Sequence, residues 1–148
     1  MTDAPLKILL MAAEMVPFAK TGGLADVTGA LPKALKAQDH DVRVAMPRYG
    51  RIDRDRFHVT EVLPPFPAPM DDHSENAALL QAVVAYAGGD VPVYMIDNAH
   101  YYDRDGIYMY EDDADRFIFF CRATLEGIKQ LGWQPELVLI DLGNNDRD

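Results

Sequence analysis

The 148-residue chain is 49% hydrophobic and 26% charged, enough apolar material for one domain with a core. Its 14 Lys and Arg against 24 Asp and Glu give a formal net charge of -10. That argues against a nucleic acid or an anionic membrane as partner, because both need a basic face.

Residues 6–13 form a continuous apolar run of strand length, as expected of a central parallel strand covered on both faces. The run is too short to span a membrane, and Asp3, Lys7 and Glu14 around it do not suit a signal peptide. Cys121 is the one cysteine, so no intrachain disulfide can form, which fits a reducing compartment. Cytoplasmic localisation is therefore expected. Residues 14–19, with Pro17, read as a loop. Thr21 suits the N-cap of a helix over 24–37, whose Leu24, Val27, Leu31 and Leu35 recur at helical spacing. Pro32 should kink or restart that helix. A polar turn at 38–41 leads to a second strand at 42–46. Strand, helix, strand within this length is a βαβ unit, and its crossover should be right-handed.

Residues 47–55 are basic and loop-like, with Arg48, Arg51 and Arg54; a solvated surface loop competes there with substrate binding. A strand is expected over 57–63. Pro64, Pro65, Pro67 and Pro69 then argue against regular structure, and 70–76 read as an acidic loop. Two strands, 77–86 and 91–96, are joined by Gly88-Gly89-Asp90, a hairpin signal. Residues 97–110 form a long aromatic loop. Asp112 or Asp113 caps a helix running to about Leu131, with Phe117, Phe120, Cys121, Leu125 (or Thr124) and Ile128 as its apolar face. Cys121 reads as a structural thiol. Gly132 ends the helix, a last strand is expected over 136–140, and 141–148 read as a frayed polar tail.

Lys20-Thr21-Gly22-Gly23-Leu24 stands between the first strand and the first helix. Glycines in such a loop let backbone approach a ligand closely. A helix N-terminus offers unpaired N–H groups and partial positive charge, and a phosphate is its usual guest. Lys20 adds a full charge on a mobile stem. The alternative is a tight turn with a solvated lysine. The motif is neither the Walker pattern nor the full GxGxxG fingerprint. His40, His58, His73 and His100 show no metal-ligand spacing and read as ordinary loop residues.

Residues 7–50 closely resemble the N-terminus of bacterial glycogen synthases and plant starch synthases. The resemblance rests on Glu14, Pro17, Lys20-Thr21-Gly22-Gly23-Leu24, Asp26-Val27, Gly29-Ala30-Leu31-Pro32, His40-Asp41-Val42-Arg43-Val44 and Pro47. It resumes over 97–106 and 110–120, so it covers most of the chain apart from a variable middle and the last residues. It implies an α/β fold with a Rossmann-like parallel sheet, here the incomplete N-terminal domain of a two-domain, GT-B type glycosyltransferase: residues 1–140 the partial catalytic domain, 141–148 a divergent tail. It implies retaining transfer of glucose from ADP-glucose, or UDP-glucose, to the non-reducing end of an α-1,4-glucan, with no metal and no cofactor. By resemblance Lys20, Gly22, Gly23, Asp26 and Glu14 bind the sugar nucleotide. Asp26 could instead merely complement the helix dipole. Tyr101, Tyr102 and Asp103 match a family loop, and the two rings either line a sugar or base site or pack beneath the loop.

The resemblance breaks near the end. Trp133-Gln134-Pro135-Glu136-Leu137-Val138 matches, but Leu139-Ile140-Asp141-Leu142-Gly143-Asn144 does not follow the family's His-Asp-Trp-His segment, and Asp141 is one position from its functional aspartate. No catalytic residue is assigned. At this length the chain reads as an N-terminal fragment, inactive alone, with a separately encoded C-terminal half as a partner to look for. A sheet ending here should leave Leu9, Val44 and Val138 short of cover and the chain only marginally folded. The alternative is a non-catalytic nucleotide- or glucan-binding module. Another glucosyltransferase of the same architecture is a third reading, which the Lys20–Leu24 motif disfavours.

Overall fold

The computed structural model describes residues 4–143. The elements run β1 (Lys7–Ala12), α1 (Gly23–Ala37), β2 (Asp41–Pro47), β3 (Thr60–Pro69), β4 (Ser74–Tyr86), β5 (Gly89–Asp97), α2 (Ala99–Tyr102), α3 (Asp113–Leu131) and β6 (Leu137–Asp141). The strands form one sheet in the order β3-β4-β5-β2-β1-β6. β5, β2, β1 and β6 are parallel, while β4 runs antiparallel to both β3 and β5. The expected Rossmann-like α/β sheet is thus present, with an antiparallel hairpin extension at one side.

β1 is buried from Ile8 through Ala12 because it lies inside the sheet with a helix layer on each face. On β4, Leu79 packs beneath Gly127 of α3, whereas Tyr86, of opposite parity along the strand, donates its hydroxyl to Gly29 O of α1. Alternation along a strand places those contacts on opposite faces. The predicted hairpin forms between β4 and β5, pairing Tyr86 with Gly89, whose φ of 133° suits glycine.

Several expectations are corrected. The proline run is not irregular: Pro64, Pro65, Pro67 and Pro69 all lie in β3. Among the described residues β3 is an edge strand paired only with β4, with two register shifts, and an edge needs fewer N–H donors than a central strand. β3 begins at Thr60 rather than residue 57, and β4 begins at Ser74, inside the expected acidic loop. α1 runs unbroken through the buried Pro32. Its N-cap is Gly22, with no side-chain capping bond; Thr21 serves another carboxylate. The aromatic loop contains the short helix α2.

The inward face of α3 keeps the expected Phe120, Thr124 and Ile128 but is rotated from the one read off its apolar residues, with Phe117 and Cys121 only half-buried. Phe119, Phe120, Ala123, Thr124, Gly127 and Ile128 are buried, Leu125 is exposed, and Arg116 is fully buried at the head of the same stripe. Cys121 is half-buried, and burial raises its thiol pKa, in keeping with a structural thiol. Leu9 and Val44 are wholly covered. The open apolar surface sits on β6 instead, where Leu137, Val138 and Ile140 are 41%, 37% and 58% exposed. Asp141 belongs to β6, and the remainder of the expected tail, 144–148, lies outside the described residues. Among the described residues no helix is long and apolar enough to cross a membrane.

Candidate functional site

A cleft of about 570 Å³ opens at the carboxyl end of β1. One wall is Glu14 and the stretch Thr21, Gly22, Gly23 and Leu24; the other is Gly106, Ile107, Tyr108 and Met109, with Gly143 beyond β6 closing it. β1 runs through α1 to β2 on one side and pairs with β6 on the other. A crevice outside the strand ends at such a switch point is where open α/β sheets bind ligands.

The loop from β1 to α1 is compact. Met15 and Ala19 form an isolated bridge, Val16–Pro17 is a cis peptide, and Val16 N–H donates to Ala25 O of α1. A Cβ on Gly29 would lie 2.5 Å from Val16 Cγ2, so this glycine lets the loop rest directly on the helix. Gly22 and Gly23 are different. A Cβ on either would meet nothing within 4 Å, and Gly22 is extended at φ -164°. Neither the chain's packing nor its backbone strain demands glycine there, and the space before them is the cleft. The first-turn N–H groups of Gly23 and Leu24 lack intrahelical acceptors, as at any helix start.

Glu14 is 3% exposed and saturated with donors. Its Oε1 accepts from the N–H of Thr21 at 2.9 Å and of Gly22 at 3.4 Å; its Oε2 accepts from the hydroxyls of Thr21 and Tyr108, both at 2.7 Å. Burial pushes its pKa up, but these hydrogen bonds outweigh burial and hold it below the ordinary value of 4.5. Glu14 is therefore an ionised brace that shapes the loop and lines the cleft. Conversely, burial first and Glu14 second keep the Tyr108 hydroxyl protonated.

Lys20 and Asp26 stand beside the cleft rather than in its lining. Lys20 Nζ donates to both Asp26 oxygens at 2.9 and 2.8 Å, with half or more of each side chain exposed. An exposed pair of this kind contributes about 0.2–1 kcal/mol, so an incoming anion can draw Lys20 away cheaply. Lys20 also lines a smaller cavity of about 240 Å³ with Arg51 and Tyr49, which shares Thr21, Gly106 and Ile107 with the cleft.

Tyr101 and Tyr102 do not line the cleft. They are 3% and 0% exposed and pack against Phe119. The Tyr102 hydroxyl donates to Arg116 O. Of the two readings of these rings, packing beneath the loop is what the structure has. Asp103 is exposed and lies against Gly50. Among the described residues no group of three His, Cys, Asp or Glu side chains could hold a metal ion.

Sequence reasoning missed Tyr108 and Arg116. Arg116 donates from Nε to Tyr101 O and from Nη1 to Ile107 O and Asp113, pinning the loop that carries Tyr108. The signal available was a charged residue recurring with the apolar stripe of α3.

Comparison with known proteins points one way. The family model for the starch synthase catalytic domain matches residues 7–141. The glycogen synthase of Desulforudis audaxviator (strain MP104C) is 51% identical, over 93% of this chain and 29% of that protein. The glycogen synthase of Moorella thermoacetica (strain ATCC 39073 / JCM 9320) is 48% identical, over 92% of this chain and 27% of that protein. The catalytic domain of starch synthase IV from Arabidopsis thaliana, solved with ADP and acarbose bound, superposes with a TM-score of 0.81 at 30% identity, covering 93% of this chain and 28% of that one. This chain therefore spans little more than a quarter of the length of those relatives.

Proposed function

Since the chain belongs to the glycogen and starch synthase family of glycosyltransferases, we propose that it supplies the donor-binding wall of a glucosyltransferase site. The donor is ADP-glucose (UDP-glucose being the variant) and the acceptor is the non-reducing end of an α-1,4-glucan, extended with retention. The opposite wall comes from the remainder of the family's fold, in the same polypeptide or in a separately encoded half. Cytoplasmic localisation goes with this reading.

The observation that carries it is the open space in front of Gly22 and Gly23, at the N-terminus of α1. The diphosphate sits there, on the Gly23 and Leu24 N–H groups and the helix dipole. As the glucosyl bond breaks, negative charge builds on the leaving diphosphate. Fixed N–H donors and the Lys20 ammonium stabilise that charge more than they stabilise the intact donor, which lowers the barrier. Lys20 reaches the phosphate by leaving Asp26, and Asp26 holds it ready at the rim. Glu14 does not repel the ligand as a bare carboxylate would, since four donors already compensate its charge. Its part is to set the loop.

Calorimetric titration of the chain with ADP tests this. The parent should bind. Lys20→Ala should weaken binding by the roughly 1.5–3 kcal/mol of a charge-assisted hydrogen bond, on the order of tenfold to a hundredfold. Gly23→Val, which fills the open space, should weaken it more than Gly23→Ala. No heat with the parent, or equal affinity for parent and Lys20→Ala, contradicts the reading.

A further inference from the structure

We propose that Tyr108 is a positioning residue for the anion site, holding Glu14 in place so that Glu14 in turn holds the Thr21 and Gly22 N–H groups. The inference rests on the diphosphate reading above only for its functional consequence; the positioning itself can be tested on the chain without ligand.

The two walls of the cleft come from segments far apart in the chain, and a hydrogen bond joins them: the Tyr108 hydroxyl to Glu14 Oε2, 2.7 Å, across 94 residues of sequence. Each side of that bond is anchored. On the Tyr108 side, Arg116 holds the Ile107 carbonyl at 2.8 Å from a fully buried position on α3. The Asp113 carboxylate accepts the N–H groups of Met109 and Tyr110, so the residues before and after Tyr108 are both tied to the start of α3. The ring itself packs against Phe117, with centroids 6.0 Å apart. On the Glu14 side, the carboxylate follows directly on β1 and its neighbour Met15 is fully buried.

Glu14 therefore works as a relay. A carboxylate has about four acceptor sites, and here four donors fill them, three from the Thr21–Gly22 stretch and one from Tyr108. The three local donors could be satisfied with the carboxylate swung together with its own loop. Among the described residues, Tyr108 is the donor that refers the carboxylate to the other wall. Without it, Thr21 and Gly22 lose their reference to the other wall at the point where they lead into Gly23 and Leu24, while α1 itself stays held by Val16 and Tyr86. The hydroxyl also withdraws charge from a carboxylate that lines an anion-binding cleft.

The test uses amide spectra of the isotopically labelled 148-residue chain and its Tyr108→Phe variant, which keeps the ring and its packing. In the ligand-free chain the Thr21 and Gly22 amide resonances should move, while those of Met11 and Val44 in the sheet should not. Titration with ADP should then give about tenfold weaker binding for Tyr108→Phe, the usual size for one hydrogen bond to a charged group. Unmoved Thr21 and Gly22 amides overturn the positioning role, as does equal ADP affinity where the parent binds. A parent that ignores ADP while Thr21 and Gly22 still follow Tyr108 overturns the diphosphate reading instead, and upholds the positioning.

Discussion

The two edges of the sheet are built on opposite principles. β3 closes one edge with four prolines in ten residues and two register shifts, and it still buries Phe66 and Ala68 beneath α3. Prolines on an edge remove N–H groups that a foreign strand would need. β6 closes the other edge with Leu137-Val138-Leu139-Ile140-Asp141, with no proline and no fully buried residue; Leu139 alone is partly buried against the core. Among the described residues its only neighbour is β1. The guarded edge is remote from the cleft, and the unguarded edge leads straight into it through Gly143. Protection against pairing and contribution to the core go together at β3; at β6 the prolines are missing and the core contribution shrinks to Leu139, and the site sits beside the edge that other protein surface can still reach.

The largest effect expected from this contrast is on stability. Phe66→Ala removes a ring packed 3.3 Å from where a Cβ on Gly127 would lie, and should cost about 3–5 kcal/mol. Ile140→Ala should change stability by no more than about 0.5 kcal/mol, as at most exposed positions. Denaturant melts of both variants decide it; equal losses would erase the distinction between the edges.

The next effect is on association. If β6 is the reactive edge, the chain should self-associate with rising concentration, and Val138→Lys with Ile140→Lys should return it to monomer in sedimentation velocity. Glu61→Val on β3 should change nothing. Association that survives the β6 changes and vanishes with a β3 change would reverse the assignment.

The smallest effect is on pH dependence, and it has opposite signs at the two ends. Glu14, near the β6 side, has a folded pKa below its ordinary 4.5 because its hydrogen bonds overcome burial. Its stabilising contribution is complete above that value and fades as pH falls through the folded pKa. His73, at the turn before β4, has its pKa raised above 6.5, first by the hydrogen bond to Asp72 and then by Glu75. Its contribution is complete below 6.5 and fades as pH rises through the folded value. Carboxyl and imidazole resonances followed against pH should move in those directions from the unfolded chain; a Glu14 midpoint at or above 4.5 would mean its four donors are not engaged.

What could be read from sequence follows periodicity and turn chemistry. β1, α1, β2, the β4–β5 hairpin and α3 were legible because apolar spacing and Gly88-Gly89 report local conformation directly. β3 was not, because proline excludes a strand only where a neighbouring strand needs its N–H, and edge position is a tertiary fact. The inward face of α3 was legible at Phe120, Thr124 and Ile128 but not at Arg116, because that residue is charged and its burial depends on carbonyls of Tyr101 and Ile107 that the helix cannot see. The Lys20–Leu24 loop was legible as a glycine-bearing turn into a helix, which the structure opens onto the cleft, but its construction was not. Thr21 looked like a cap and instead serves Glu14, and Tyr108 is one tyrosine among several in its loop until a contact 94 residues away singles it out.

The central claim is that the N-terminus of α1 is where the nucleotide diphosphate binds, and a crystal of this chain grown with ADP tests it most directly. The account predicts phosphate oxygens within hydrogen-bond distance of the Gly23 and Leu24 N–H groups, with Lys20 turned from Asp26 toward them. ADP lodged elsewhere, for example in the apolar groove of Leu125, Ile128 and Trp133, with Lys20 still on Asp26, would contradict it.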